Sequence, residues 1–153
     1  MQDVKKIFSH QGVDYPLVFN LNVMENIQQE YGSVQAWGDL TDGTAYGKRD
    51  YEKKNGVDSW DELTDEQKAA NKGEPDAKAI IFGFGEMLNE GIDMENEARF
   101  HRGLASGESL RPAMSLRAVG RLITSMGLDI ATEKLKETVI ESQRMENEET
   151  KNV

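Results

Sequence analysis

Residues 80–101 read IIFGFGEMLNEGIDMENEARFH, and the fold depends on whether this stretch is a loop or a helix. Gly83 and Gly85 stand in a G-x-G pattern ahead of Gly91, which suits a loop that cradles phosphate. Glu90, Asp93, Glu95, Glu97 and His101 would suit acid/base or metal chemistry. The apolar spacing decides for the helix. Ala77, Ile80, Ile81, Phe84, Met87 and Leu88 are spaced 3, 1, 3, 3 and 1, an amphipathic stripe that Asp76 is placed to cap. The stripe runs through Gly83 and Gly85, so their amides are committed to i to i−4 bonds and do not point at a ligand. The motif requirements agree: a dinucleotide fingerprint needs glycine where Leu88 stands, and no Walker string is present. Glycine costs about 1 kcal/mol relative to alanine inside a helix. The expected return is close approach of a neighbouring helix, with Gly91 as the helix stop.

The acids around and beyond Gly91 then read as a connector. His10 and His101 are the only histidines, and neither has a metal-ligating partner at i+3 or i+4. Arg99 and Arg102 among the acids suggest a solvated surface with local ion pairs, each worth well under about 1 kcal/mol. No serine sits in a G-x-S-x-G elbow; Ser106 in LASGES comes nearest, and its flanks do not match. The absence of cysteine removes disulfides, thiolate metal sites and cysteine nucleophiles, and suits a reducing cytoplasm. No cofactor and no metal is expected. A small hydrolase or metal-dependent enzyme using Glu90, Asp93 and His101 stands as the alternative to a binding role.

Upstream, VKKIFSHQGVDYPLVFNL predicts a β-hairpin. Val13, Tyr15, Leu17 and Phe19 alternate as on a half-buried strand, and Ser9–Gly12 is expected as a four-residue turn with His10 in solvent. Pro16 has no amide proton, so its strand belongs at an edge or uses that position where no ladder bond is needed. A helix follows, capped by Asn20 or Asn22, with Val23, Met24, Ile27 and Tyr31 on one face and Gly32 at its end. Ser33 caps a short helix carrying Val34 and Trp37. Downstream, RGLASGESLRP is a loop. Ser115 caps a helix with Leu116, Val119, Leu122, Ile123 and Met126 inward, and Gly127 stops it. A last helix from about Asp129 turns Ile130, Ala131, Leu135 and Val139 inward.

Between Thr41 and Lys78 aliphatic residues thin out and charges of both signs mix. This region reads as a mobile polar insertion at about 41–78 with at least one helical turn, the other reading being a disordered linker. Ser59 with Glu62 matches a capping box there. Trp37, Tyr46, Tyr51 and Trp60 cluster around it, and Trp37 and Trp60 are candidate partner anchors. The expected fold is mainly α (α+β): an N-terminal hairpin, then a small helical bundle, in one domain over residues 1–141. Residues 142–153 are expected as an acidic, disordered tail.

At 153 residues the chain is long enough for a substantial core, although only 37% of it is hydrophobic and 30% is charged. A net charge of −10 argues against nucleic acid and anionic membrane as partners. No stretch approaches the roughly 20 apolar residues of a membrane helix, and the start has no signal-peptide pattern. A soluble, intracellular protein is expected.

Two blocks of the chain carry a resemblance. KKIFSHQGVDYPLVFNLNVMENIQQEYGSVQAW, with Lys6, Phe8, Gly12, Tyr15, Leu17, Phe19, Glu30, Tyr31 and Gly32 as carriers, resembles the opening of the tail assembly chaperones of phages and prophages of Gram-positive bacteria. The second block runs from AIIFGFGEMLNEGIDMENE to LRAVGRLITSMGLDIATEKLKETVIES. Its carriers are Met87, Leu88, Asn89, Glu90, Gly91, Val119, Gly120, Leu122 and Ile123. Residues 41–78 lie outside the pattern. The resemblance implies a non-enzymatic protein of the host cytoplasm, absent from the finished virion. It would bind the tape measure protein, recruit major tail tube subunits and self-associate as a homo-oligomer. Phe84, Met87 and Leu88 join Trp37 and Trp60 as candidate partner-binding residues.

Overall fold

The computed structural model describes residues 4–103 and 109–151, with side chains described for 5–103 and 109–144. Among these residues an N-terminal β-hairpin is followed by seven α-helices and one 3-10 turn, the mainly α architecture expected. The chain packs as two compact units: Met1–Asn26 with Ile81–Val153, and Ile27–Ile80.

In the first unit, β1 (Val4–His10) pairs antiparallel with β2 (Val13–Phe19). The turn is shorter than expected. Gln11 and Gly12 both take positive φ, 50° and 78°, so two residues close a hairpin whose twist matches its strands, and Ser9 and His10 join β1. His10 faces Val13 across that turn as a hydrogen-bonded pair, and alternation from there makes Ile7–Pro16 a non-hydrogen-bonded pair. Pro16 therefore stands where the ladder needs no donor. The alternation in β2 is only partly realised. Val13 is exposed and Tyr15 half-buried, whereas Pro16, Leu17, Val18 and Phe19 are buried in succession.

The hairpin is covered by α5 (Ala77–His101) and α7 (Leu128–Lys151). Phe8 stacks on Tyr15 at 5.1 Å and meets Phe84 of α5 edge-on at 5.6 Å. Helix α5 does not stop at Gly91 but runs 25 residues to His101. A glycine stops a helix by taking positive φ, and Gly91 does not. Its hydrogen side chain serves contact instead: a Cβ there would lie 2.8 Å from the Pro16 carbonyl carbon and closer still to the oxygen. At Gly85 a Cβ would stand 3.4 Å from the Leu116 and Val119 methyls, the limit of ordinary van der Waals contact, so the clash expected of a β-carbon there is absent.

Helix α1 (Leu21–Tyr31) is capped by Asn20, whose Oδ1 accepts from the Val23 amide, and ends at Gly32 with φ 86°. Helix α6 (Leu116–Met126) starts on the Ser115 cap and stops at Gly127, burying Val119, Leu122, Ile123 and Met126 but leaving Leu116 exposed. In α7 the inward stripe is Ala131, Leu135, Thr138 and Ser142, while Ile130 is exposed and Val139 half-buried. The frayed segment expected after Ile140 is helix through Lys151. At Ser142 the reason is visible: its hydroxyl donates to the Phe19 carbonyl at 3.0 Å, so polar residues continue the packing stripe.

The second unit folds the segment expected as a mobile insertion. Helix α2 (Val34–Thr41) is capped by Ser33, and α3 (Thr44–Asn55) leads to the 3-10 turn Ser59–Glu62 and to α4 (Asp65–Ala70). The capping box is Thr64 with Gln67, not Ser59 with Glu62; the Ser59 hydroxyl donates to the Gly56 carbonyl instead. Order here comes from backbone contact more than from aliphatic bulk. Gly47 lies against residues 71–73, where a Cβ would come within 2.8 Å of the Gly73 nitrogen, and the Gly73 amide donates to the Gly43 carbonyl at 2.9 Å.

Candidate functional site: a cleft beside the hairpin

The five residues expected to bind a partner are interior. Trp37, Trp60, Phe84, Met87 and Leu88 are all buried. The Trp37 indole donates to the Ala79 carbonyl at 3.0 Å, and Trp60 sits edge-on to Tyr51 at 6.0 Å. As folded, these side chains build the cores of their units and offer no surface. Neither indole was recognisable as core because the polar flanks suggested exposure, yet those flanks form the solvated outer faces of the helices around them.

The acid and histidine group does not converge. The Glu90 carboxylate accepts from Asn20 at 2.9 Å and Asn22 at 3.1 Å, tying α5 to the junction between β2 and α1. Asp93 is exposed, and His101 lies against Phe100 at the end of α5. Eleven residues of helix put Glu90 and His101 about 16 Å apart along the axis. Among the described residues no group of three or more His, Cys, Asp or Glu side chains could hold a metal. His10 is not a free turn residue, since its Nε2 lies 2.9 Å from the Ser125 hydroxyl.

A surface cleft of about 550 Å³ is lined by Lys5 of β1 and by Met94, Glu95, Ala98, Arg99 and Arg102 of α5. Met94, Ala98 and Arg102 recur at i, i+4 and so share one helix face; Glu95 and Arg99 flank it. Glu95 binds Lys5 at 3.6 Å and Arg99 at 3.9 Å. Three cations against one carboxylate make the cleft basic on a chain of net charge −10. Apolar Met94 and Ala98 beside this rim suit an amphipathic segment with acidic flanks. The sequence signal was the 94/98/102 spacing, hidden by the reading of Gly91 as a stop.

Beyond the cleft, residues 111–114 are held against α5 by two carboxamides acting as backbone mimics. Asn89 donates to the Met114 carbonyl at 2.9 Å and accepts from its amide at 2.8 Å; Asn96 does the same with Arg111 at 2.7 and 3.0 Å. Arg111 then reaches the Asp14 carbonyl at 2.6 Å and lies over the Tyr15 ring.

Three carboxyl and phenol environments shift pKa values for structural reasons. The Tyr46 hydroxyl donates to Asp76, which holds that carboxyl below its usual range and raises the phenol. Burial raises Tyr31, and the Arg144 guanidinium bonded to Glu141 lowers that carboxyl.

Among the described residues no helix is long and apolar enough to cross a membrane. The chain matches no protein-family model, no curated protein and no solved structure.

Proposed function

We propose that this chain is a phage tail assembly chaperone: in the host bacterial cytoplasm it binds the tape measure protein and helps recruit major tail tube subunits, without entering the finished virion. One observation carries the reading. The hairpin of the first block packs against the α5 part of the second within one unit, while Glu30, Tyr31 and Gly32 of the first block belong to the other. Phe8 meets Phe84, Asn20 bonds Glu90, and Gly91 gives room to Pro16. Gly12 takes the positive φ of the hairpin turn. Phe8, Gly12, Glu90 and Gly91, on which the resemblance rests in part, thus hold packing or turn positions in that unit. The basic, partly apolar cleft of Lys5, Met94, Arg99 and Arg102 supplies a surface for a helical partner segment.

The experiment is co-expression with a tape measure fragment under conditions that keep both soluble. Co-purification is expected, and the double charge reversal Arg99→Glu with Arg102→Glu should lower recovery at least about tenfold, as for rim charges that steer and hold a complex. Two soluble proteins that never co-purify would sink the reading. Tight metal retention lost on His101→Ala would favour the hydrolase alternative instead.

A further inference from the structure

The outer edge of β1 is open. β1 pairs with β2 alone, and among the described residues no other backbone group bonds to Val4–His10. The alternation set by the two-residue turn sends the N–H and C=O groups of Lys5, Ile7 and Ser9 outward, away from β2. At the centre of this edge Ile7 is 55% exposed. Lysines on an edge strand often serve to prevent pairing. Here Lys5 is already engaged by Glu95, and what decides is which residue would face it.

We infer that β1 pairs antiparallel with β1 of a second copy, on a two-fold axis through Ile7. In this register the outward groups of Lys5, Ile7 and Ser9 meet those of the partner subunit's Ser9, the partner's Ile7 and the partner's Lys5. Every outward donor on one strand then has an acceptor, as an isologous interface requires. Ile7 meets Ile7 of the partner subunit, which covers the exposed side chain. No like charges oppose each other: Lys5 falls opposite the partner's Ser9, whose hydroxyl is bonded to Asp14. Lys5 of each copy therefore approaches an acidic group of the other, and the two hairpins become one four-stranded sheet. Any other antiparallel register leaves part of the outward set unpaired or moves Ile7 off its apolar partner. The tail-assembly reading implies self-association in general; the edge, the register and the two-fold axis rest on hairpin geometry alone.

The test is the mass of the full chain in solution, with single cysteines to read the register. Sedimentation equilibrium over a series of chain concentrations is expected to show a mass that doubles at the high end, as for a small interface. Ile7→Lys should return the monomer mass with unchanged helical ellipticity. Ile7→Cys places two thiols on residues whose Cα atoms are about 5.5 Å apart, within disulfide reach, so mild oxidation should cross-link it. Ser9→Cys is the register control, because its two copies would lie about 13 Å apart along the strands and should not cross-link. A monomer throughout, a dimer that survives Ile7→Lys, or equal cross-linking of both cysteine variants would overturn the proposal. Lys5 belongs to both surfaces but Ile7 lines no part of the cleft, so co-purification with the tape measure fragment is measured on Ile7→Lys, where it is expected to persist, and judges that reading separately.

Discussion

Gly91 fixes how closely α5 lies against β2, and it does so by lacking an atom. In an isolated helix Gly91→Ala would stabilise by about 1 kcal/mol. Here the added methyl meets the Pro16 carbonyl, backbone that cannot rotate away. We expect Gly91→Ala to destabilise by about 1–3 kcal/mol, the usual cost of overpacking, read as a lowered midpoint in urea. A neutral or stabilising result would mean that α5 stands further from the strand. Asp76 and Tyr46 give a second test at this scale. The depressed Asp76 carboxyl contributes stability that is present above its unfolded value near pH 4 and lost as pH falls through the folded one. The raised Tyr46 phenol contributes stability present below its unfolded value near pH 10 and lost as pH rises through the folded one. The stability difference between the wild-type chain and Tyr46→Phe should therefore be flat between about pH 4 and 10 and shrink on both sides. A difference that persisted unchanged below pH 3 would refute the assignment.

Among the elements, the pinned segment 111–114 depends on side chains that imitate a strand. Asn89→Ala removes both bonds to Met114 at once and strands a backbone donor and acceptor that are partly buried. A cost of about 1–3 kcal/mol is expected, with proteolytic cleavage between α5 and α6 accelerated more than cleavage elsewhere. Uniform protection would show that the asparagine is not the clasp. The elements also show what sequence can reveal. The hairpin and the α5 stripe were legible because their signals are local, a period of two and a period near 3.6 written in adjacent residues. Gly91 misled because its role is set by Pro16, 75 positions away, and a glycine that ends a helix is spelled the same as one that admits a carbonyl. Thr138 and Ser142 misled for a related reason. Hydroxyls on an inward face look polar in sequence, yet one bonds the Lys134 carbonyl of its own helix and the other the Phe19 carbonyl.

For the whole molecule, the two compact units have different reporters. Both tryptophans, Trp37 and Trp60, belong to Ile27–Ile80, while α6, α7 and most of α5 belong to the other unit. Tryptophan emission thus follows one unit, and far-UV ellipticity is weighted toward the other. Gly47→Ala, which would overlap the backbone of residues 71–73, should lower the fluorescence midpoint at least as much as the ellipticity midpoint. Gly91→Ala should do the reverse. Identical shifts in both signals for both variants would mean that the chain melts as one cooperative block. The candidate surface was the least legible part, since a cleft is a relation between β1 and α5 and belongs to neither sequence segment. Composition could say that the chain is acidic, but not that three of its cations gather at Lys5, Arg99 and Arg102.

The bond between Ser142 and Phe19 joins residues 123 positions apart, and this separation imposes an order on synthesis. At ribosomal rates of about 5–20 residues per second, the hairpin waits roughly 6–25 s before the α7 residues that cover it have been made. A lone hairpin is marginal in water, so Leu17 and Phe19 lie open to apolar partners until α5 is made and stay partly uncovered until α7 follows. The nascent chain passes through its most adhesive state early, and completion of α7 ends it.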